Sequence, residues 1–248
     1  MTGTDTYREW EPPPAWRHVV ACCWNQEVVD GRVQRVIPDG YADILMYETG
    51  RVDVVGLQDA VALPELPSGT KIYGVRLRPE AVAAAFHIPG DELLNLTIAG
   101  EDLLGSLQVR SLTHQSGLDE WIRSVEPDDR TAFATNQLGS STVSETADEL
   151  GITSRQLRRV FVDNVGLTPK TYQRVLRLQR FIAEGEQWHH LATAAVNAGY
   201  ADQSHLTREV RELTGLTPAR LLAERMDSPD HDAQDGPPHT FMPGRSRD

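Results

Sequence analysis

The chain is short of several things, and each shortage removes a class of function. Its 248 residues hold two cysteines, adjacent at Cys22 and Cys23, so neither a disulfide framework nor a four-cysteine zinc site can be built from them. No apolar run approaches the roughly 20 residues of a membrane span, and no charged-then-apolar leader opens the chain. A soluble cytoplasmic protein without a membrane partner is the expectation. Basic charge is also short: 24 Lys/Arg stand against 36 Asp/Glu, a formal −12, which is unfriendly to polyanions if spread evenly. The eight histidines lack a metal-ligand spacing such as His-Glu-x-x-His, and there is no glycine-rich phosphate loop or nucleophile elbow. No catalytic residue, metal ligand or cofactor is therefore expected, and no enzyme.

What the chain does have is a repeat. The string GLTP occurs at Gly166 to Pro169 and again at Gly215 to Pro218, 49 positions apart. Upstream of each copy lies an Ala-x-x-x-Gly, Ala147 to Gly151 and Ala195 to Gly199. Matched apolar positions follow, Leu157 and Phe161 in the first unit, Leu206 and Val210 in the second. A duplicated helical unit of this size reads as two helix-turn-helix modules.

In the first module, Val143, Ala147 and Leu150 recur at helical spacing with acids on the other face. Gly151 ends that helix, and Thr153 or Ser154 can cap the next. The next helix turns Leu157, Val160 and Phe161 inward, and Arg155, Gln156, Arg158 and Arg159 outward. Three arginines on the exposed face of a short helix suit the major groove of double-stranded DNA, because the guanidinium fork can pair with guanine and grip phosphate. The second module runs from Leu191 to Gly199, turns at Tyr200 to Asp202, and restarts near Gln203. Its outward residues are Gln203, Ser204, Thr207, Arg208 and Arg211. Pro169 suits the first turn of a bridging helix to about Glu184, and Pro218 that of a closing helix to about Arg225.

Residues 140–226 resemble the AraC/XylS family of bacterial transcription regulators, since two modules, the bridge and both Gly-x-x-Pro elements fall in order. The resemblance implies that the second helix of each module enters successive major-groove segments. It carries the base-reading role to Arg155, Arg158 and Arg159, and to Gln203, Ser204, Thr207 and Arg208. Where Leu206 and Val210 stand the family usually has aromatics, which implies looser packing or weaker binding in the second module. A DNA-repair methyltransferase fused to such modules would need four zinc-binding cysteines, and this chain has two.

Segment counting meets the charge objection. Residues 140–226 carry 11 Lys/Arg and 10 Asp/Glu; within them 140–180 has 7 against 4, and 181–226 has 4 against 6. The first module is expected to dominate DNA affinity.

Residues 1–107 have a strand-rich texture. Val19 to Trp24 and Arg35 to Ile37 read as strands, the second ending in a Pro38-Asp39-Gly40 turn. Ile44 to Tyr47 and Arg51 to Val55 read as a hairpin with Thr49-Gly50 at the tip. Lys71 to Leu77 reads as a strand and Pro79 to Phe86 as a helix. The strings IPDGYADILMY and YGVRLRPEA resemble the N-terminal domain that accompanies a subset of AraC-like regulators. Strand alternation sets Cys22 and Cys23 on opposite faces as structural thiols, and leaves Arg76 and Arg78 as a surface pair. Trp10, Trp16 and Trp24 read as core filling.

The fold class expected is α+β: a strand-rich mixed N-terminal domain (1–107), a helical linker (108–139), an all-α tandem helix-turn-helix domain (140–226), and a disordered tail (227–248). The function expected is a sequence-specific regulator whose N-terminal domain takes a small-molecule or protein effector. The Leu118–Val125 stripe and the strand edges offer surfaces for a homodimer, which the sequence does not establish. The competing reading is an interaction module whose helical repeat no longer reads DNA.

Overall fold

A computed structural model of the chain describes residues 5–184 and 190–226; the tail read as disordered, and His189, lie outside the described residues. The N-terminal part is built on a six-stranded antiparallel sheet in the order β1 (Thr6–Trp10), β2 (Val20–Glu27), β7 (Lys71–Leu77), β4 (Ala42–Tyr47), β5 (Val52–Val55) and β8 (Thr97–Ala99). A small pair, β3 (Arg32–Val33) and β6 (Glu65–Leu66), stands beside it. β4 and β5 form the expected hairpin, with Met46 opposite Val52 and Gly50 at φ +86° in the tip. The strand expected at 35–37 does not form. Only Val36 bridges, to Ala62, because Pro38 lacks an N–H donor and cannot extend a ladder.

One face of the sheet is apolar and buried, through Val20, Cys23, Ile44, Met46, Tyr73, Val75 and Leu77. The helices that follow cover it: α1 (Val82–Phe86), α2 (Gly100–Leu104), α3 (Ser106–Leu112), α4 (Gln115–Ser124) and α5 (Asp129–Gln137). Leu118, Trp121, Ile122 and Val125 are all buried, with Trp121 against Phe86 at 6.0 Å. That stripe is thus spent inside the chain and is not a surface for a second copy. Trp16 is fully buried, its indole N–H donating to Asp119 at 2.8 Å.

The C-terminal part contains α6 (Val143–Glu149), α7 (Ser154–Val165), α8 (Pro169–Glu184), α9 (Leu191–Asn197), α10 (Gln203–Thr214) and α11 (Pro218–Met226). Its core is not one unit. Ala147, Leu157, Phe161, Val165, Leu167 and Tyr172 belong to the same apolar cluster as the sheet. Leu178, Phe181, Ala194, Ala195, Tyr200, Leu206, Val210 and Leu213 form a second cluster. The boundary falls along α8, whose first half serves one core and whose second half serves the other. The first module is therefore fused to the N-terminal domain at the level of the hydrophobic core.

Candidate nucleic-acid interface

Each module positions its outward helix with local chemistry. α6 opens on a reciprocal cap in which Thr142 accepts from Glu145 N and Glu145 accepts from Thr142 N. Gly151 takes φ +64°, a left-handed turn that glycine enters without Cβ strain. Thr153, not Ser154, then caps α7, with Gln156 N donating to its hydroxyl at 3.2 Å and the Gln156 side-chain oxygen accepting from Thr153 N at 2.9 Å. α10 starts on a different cap, the Asp202 carboxylate accepting from His205 N at 2.7 Å. Both helices end on a left-handed glycine, Gly166 and Gly215.

On α7, Leu157 and Phe161 are buried and Val160 half-buried, while Arg155, Gln156, Arg158 and Arg159 are exposed. The Gln156 oxygen is occupied by the cap, which leaves that side chain its two N–H donors. None of the three arginines pairs with a carboxylate among the described residues. The arginines of α8 contrast with them: Arg174 pairs with Glu209 and Glu212, Arg177 with Glu209, and Arg180 donates to Gly139 O.

On α10, Gln203, Ser204, Arg208 and Arg211 are exposed and Thr207 is half-buried, its hydroxyl donating to Gln203 O at 2.8 Å. These five residues and Glu212 line an open depression of about 670 Å³ along the helix. Leu206 and Val210 are fully buried. The looser packing expected at these two positions is not seen, because Phe181 of α8 and Tyr200 of the turn supply the bulk instead.

Glu209 is a site residue the sequence reading missed. It is buried on the inward side of α10 and binds both Arg174 and Arg177 of α8 at 3.0 Å. Burial would raise its carboxyl, but Arg177 and Arg174 overrule this and hold it below the usual range. The signal was an acid at position 209 inside an apolar stripe of 206, 210 and 213.

In the N-terminal part the open sheet face carries a second polar centre. Arg76, read as half of a surface pair, is instead enclosed by Glu9, Asp39 and Asp43 at 3.2, 3.5 and 3.4 Å. Those acids come from β1, β4 and the turn before β4, which strand alternation alone cannot bring together. Arg78 donates to Arg17 O at 2.7 Å. The Trp24 indole lies over Gly74, where a side chain would overlap it, and donates to Asp43 at 2.8 Å. Burial pushes the Cys22 thiol up to about 12 and Cys23 to about 11. Among the described residues no group of His, Cys, Asp and Glu is arranged to hold a metal, and no helix is long and apolar enough to cross a membrane.

Two helix-turn-helix modules on a shared bridging helix, with one module sharing the core of the sheet-bearing N-terminal part, define the class: a double-module helix-turn-helix domain with an N-terminal companion. Residues 146–224 match the family model described as a helix-turn-helix domain, and residues 8–99 match a domain of unknown function, DUF6597. The C-terminal domain is of AraC type, the DNA-binding unit of a family of transcription regulators. A stretch of 79 residues is 34% identical to the bifunctional transcriptional activator/DNA repair enzyme Ada of Escherichia coli (strain K12), covering 31% of this chain and 22% of that protein. Among solved structures, an AraC-type regulator from Chromobacterium violaceum is 22% identical, with a TM-score of 0.36 over 38% of this chain and 90% of its own. ToxT from Vibrio cholerae O395, bound to a naphthalenyl butenoic acid, is 9% identical, with a TM-score of 0.41 over 89% of this chain and 99% of its own.

Proposed function

We propose that the chain is a sequence-specific DNA-binding transcription regulator without enzymatic activity. In this reading α7 and α10 read two adjacent major-groove segments. The observation that carries it is the unpaired arginine face of α7. Arg155, Arg158 and Arg159 are exposed and without a carboxylate partner among the described residues, while the arginines one helix later are tied into the fold. Cations held free on a short, doubly capped helix are available to guanine edges and phosphates. Arg155, Arg158 and Arg159 supply direct reading in the first segment, with Gln156 donating through its amide. Gln203, Ser204, Thr207, Arg208 and Arg211 do so more weakly in the second. The N-terminal domain takes an effector or partner and acts on α7 through the core the two share.

Selection of bound duplexes from a random pool by the full chain tests this. The expected result is a motif of two submotifs about one helical turn apart. Arg158→Ala should then cost about 1–3 kcal/mol on that site and relax choice at one base. Equal loss on random DNA would remove the base-reading role. No enrichment would favour a protein-interaction module.

A further inference from the structure

The second module has its own core, yet the N-terminal domain reaches it directly. The segment of residues 34–41, between β3 and β4, prolongs the small β3–β6 pair as far as Val36 and also reaches the C-terminal helices. Arg35 donates from its guanidinium to Thr214 O at 2.9 Å and pairs with Glu224 at 3.1 Å. Ile37 packs against the second core. Pro38 O accepts from the Gln179 side chain of α8 at 2.7 Å. Gly40 sits at φ +85° with Tyr172 so close that a Cβ would lie 3.0 Å from its ring. Asp39, between these contacts, is held by Arg76 on the open sheet face. Every residue from Arg35 to Gly40 except Val36 thus touches either the helical half or the sheet's polar centre.

Thr214 is the last residue of α10, and its carbonyl has no partner further along the helix. A guanidinium there complements both the orphan carbonyl and the negative end of the helix dipole. α10 is pinned in its middle by Glu209 against α8, so Arg35 holds the far end of a lever. Twelve residues span about 18 Å at 1.5 Å per residue. Tilting such a rod by about 10° about its pinned middle moves its reading end by roughly 1.5 Å, still more than a hydrogen bond tolerates.

We propose that Arg35 is a positioning residue for α10, so that the N-terminal domain fixes the separation of the two reader helices and hence the spacing of the two DNA segments the protein accepts. This rests on the DNA-reading function proposed above, which the two arms of the test keep separate. The first arm uses the full chain as wild type, Arg35→Ala and Arg35→Lys on the selected duplex. Companion duplexes carry one base pair inserted between the segments, or the first segment only. Wild type should prefer the native spacing by about tenfold or more, the cost of losing one set of base contacts. Arg35→Ala should compress that preference to about twofold, Arg35→Lys should restore part of it, and binding to the first segment alone should not change. Unchanged spacing preference in Arg35→Ala, or equal loss on the single-segment duplex, would overturn the proposal. The second arm needs no DNA. Amide exchange in α10 and α11 should quicken at least about fivefold in Arg35→Ala while α7 keeps its protection. Equal exchange in both helices would overturn the positioning role even if no duplex were ever enriched. An exchange effect without any DNA motif would instead remove the DNA-reading function and leave Arg35 as the residue that positions α10.

Discussion

Replacing Glu209 tests whether the second reader helix is held by charge or only by packing. The Glu209 side chain is 8% exposed. It accepts from Arg174 Nε at 3.0 Å and from Arg177 at 3.1 and 3.0 Å, with His205 Nε2 at 3.5 Å. Removing one partner of a fully buried pair costs about 3–5 kcal/mol, because the other charge is left desolvated and alone. Here the cations keep some water, with side chains 31% and 23% exposed. Arg174 also retains Glu212, and Arg177 retains the Tyr200 ring at 5.6 Å. The estimate for Glu209→Ala therefore falls to about 2 kcal/mol, and for Glu209→Gln, which preserves volume and one acceptor, to about 1 kcal/mol. The pH dependence adds an independent check. Since the arginines hold this carboxyl below its ordinary 4.5 in the fold, the stabilisation is fully present above that value and lost as pH falls through the lowered one. The gap between wild type and Glu209→Gln should thus narrow below about pH 4.5. Urea unfolding followed by far-ultraviolet circular dichroism at pH 7 and pH 3.5 measures both. A Glu209→Ala loss under about 0.5 kcal/mol, or a gap indifferent to pH, would show the pairs are decoration on a packed interface.

Gly90 and Gly166 lie back to back, and a Cβ on Gly90 would fall 2.5 Å from Gly166 N and 2.7 Å from Val165 C. Gly90→Ala should cost about 2 kcal/mol or more by forcing the end of α7 off the turn at Gly90–Leu93, and an unchanged melting temperature would show the interface gives way freely. Asp39 is raised to about 6, chiefly by burial against the opposing pull of Arg76. A raised acid keeps its proton in the fold where the unfolded chain has lost it, so stability should fall from about pH 4 to pH 6 by at most about 1.4 kcal/mol per unit. Asp39→Asn should abolish that slope, and an equal slope in the variant would assign it elsewhere. The native thiols of Cys22 and Cys23 should resist iodoacetamide at pH 8 and react quickly in denaturant; fast native labelling would contradict their raised pKa values.

The helical half was legible because its determinants are local. Apolar residues at 143, 147, 157 and 161, the left-handed glycines and the prolines at first helical turns each act within a few residues, and α8 runs over Pro169–Glu184 as the pattern implied. Even the cap of α7 was written in the chain, since Thr153-x-x-Gln156 is a reciprocal-cap signature. What escaped depends on partners far along the sequence. Arg76 looked like a surface residue because its three carboxylates arrive from other segments. Leu206 and Val210 looked too small because Phe181, on another helix, fills their space. The stripe at 118–125 showed an apolar face but not its occupants, which include Phe86 of α1, 35 residues before Trp121. Arg35 carried no local mark at all, since its partners lie 179 and 189 residues downstream.

The same distinction explains how an acidic second module can keep a DNA-facing surface. Residues 181–226 carry 6 acids against 4 bases, a balance that would oppose phosphate if all ten charges faced it. They do not. Glu209 faces α8, Glu212 is drawn aside by Arg174, Asp202 is spent on the cap of α10, and Glu224 holds Arg35 and Arg220. Three of the cations that neutralise these acids, Arg174, Arg177 and Arg35, come from outside the segment, so counting within it overstates the negative charge. Arg208 and Arg211 remain on the open side with Gln203 and Ser204, and the Glu212 that shares this side is paired with Arg174. Screening sharpens the effect, because at physiological salt charges separated by more than about 8 Å hardly sense one another. What a phosphate would meet is therefore the local face of α10. The arginines that bind α10 to α8 and to the N-terminal domain are also the ones that neutralise the acids around its outward face.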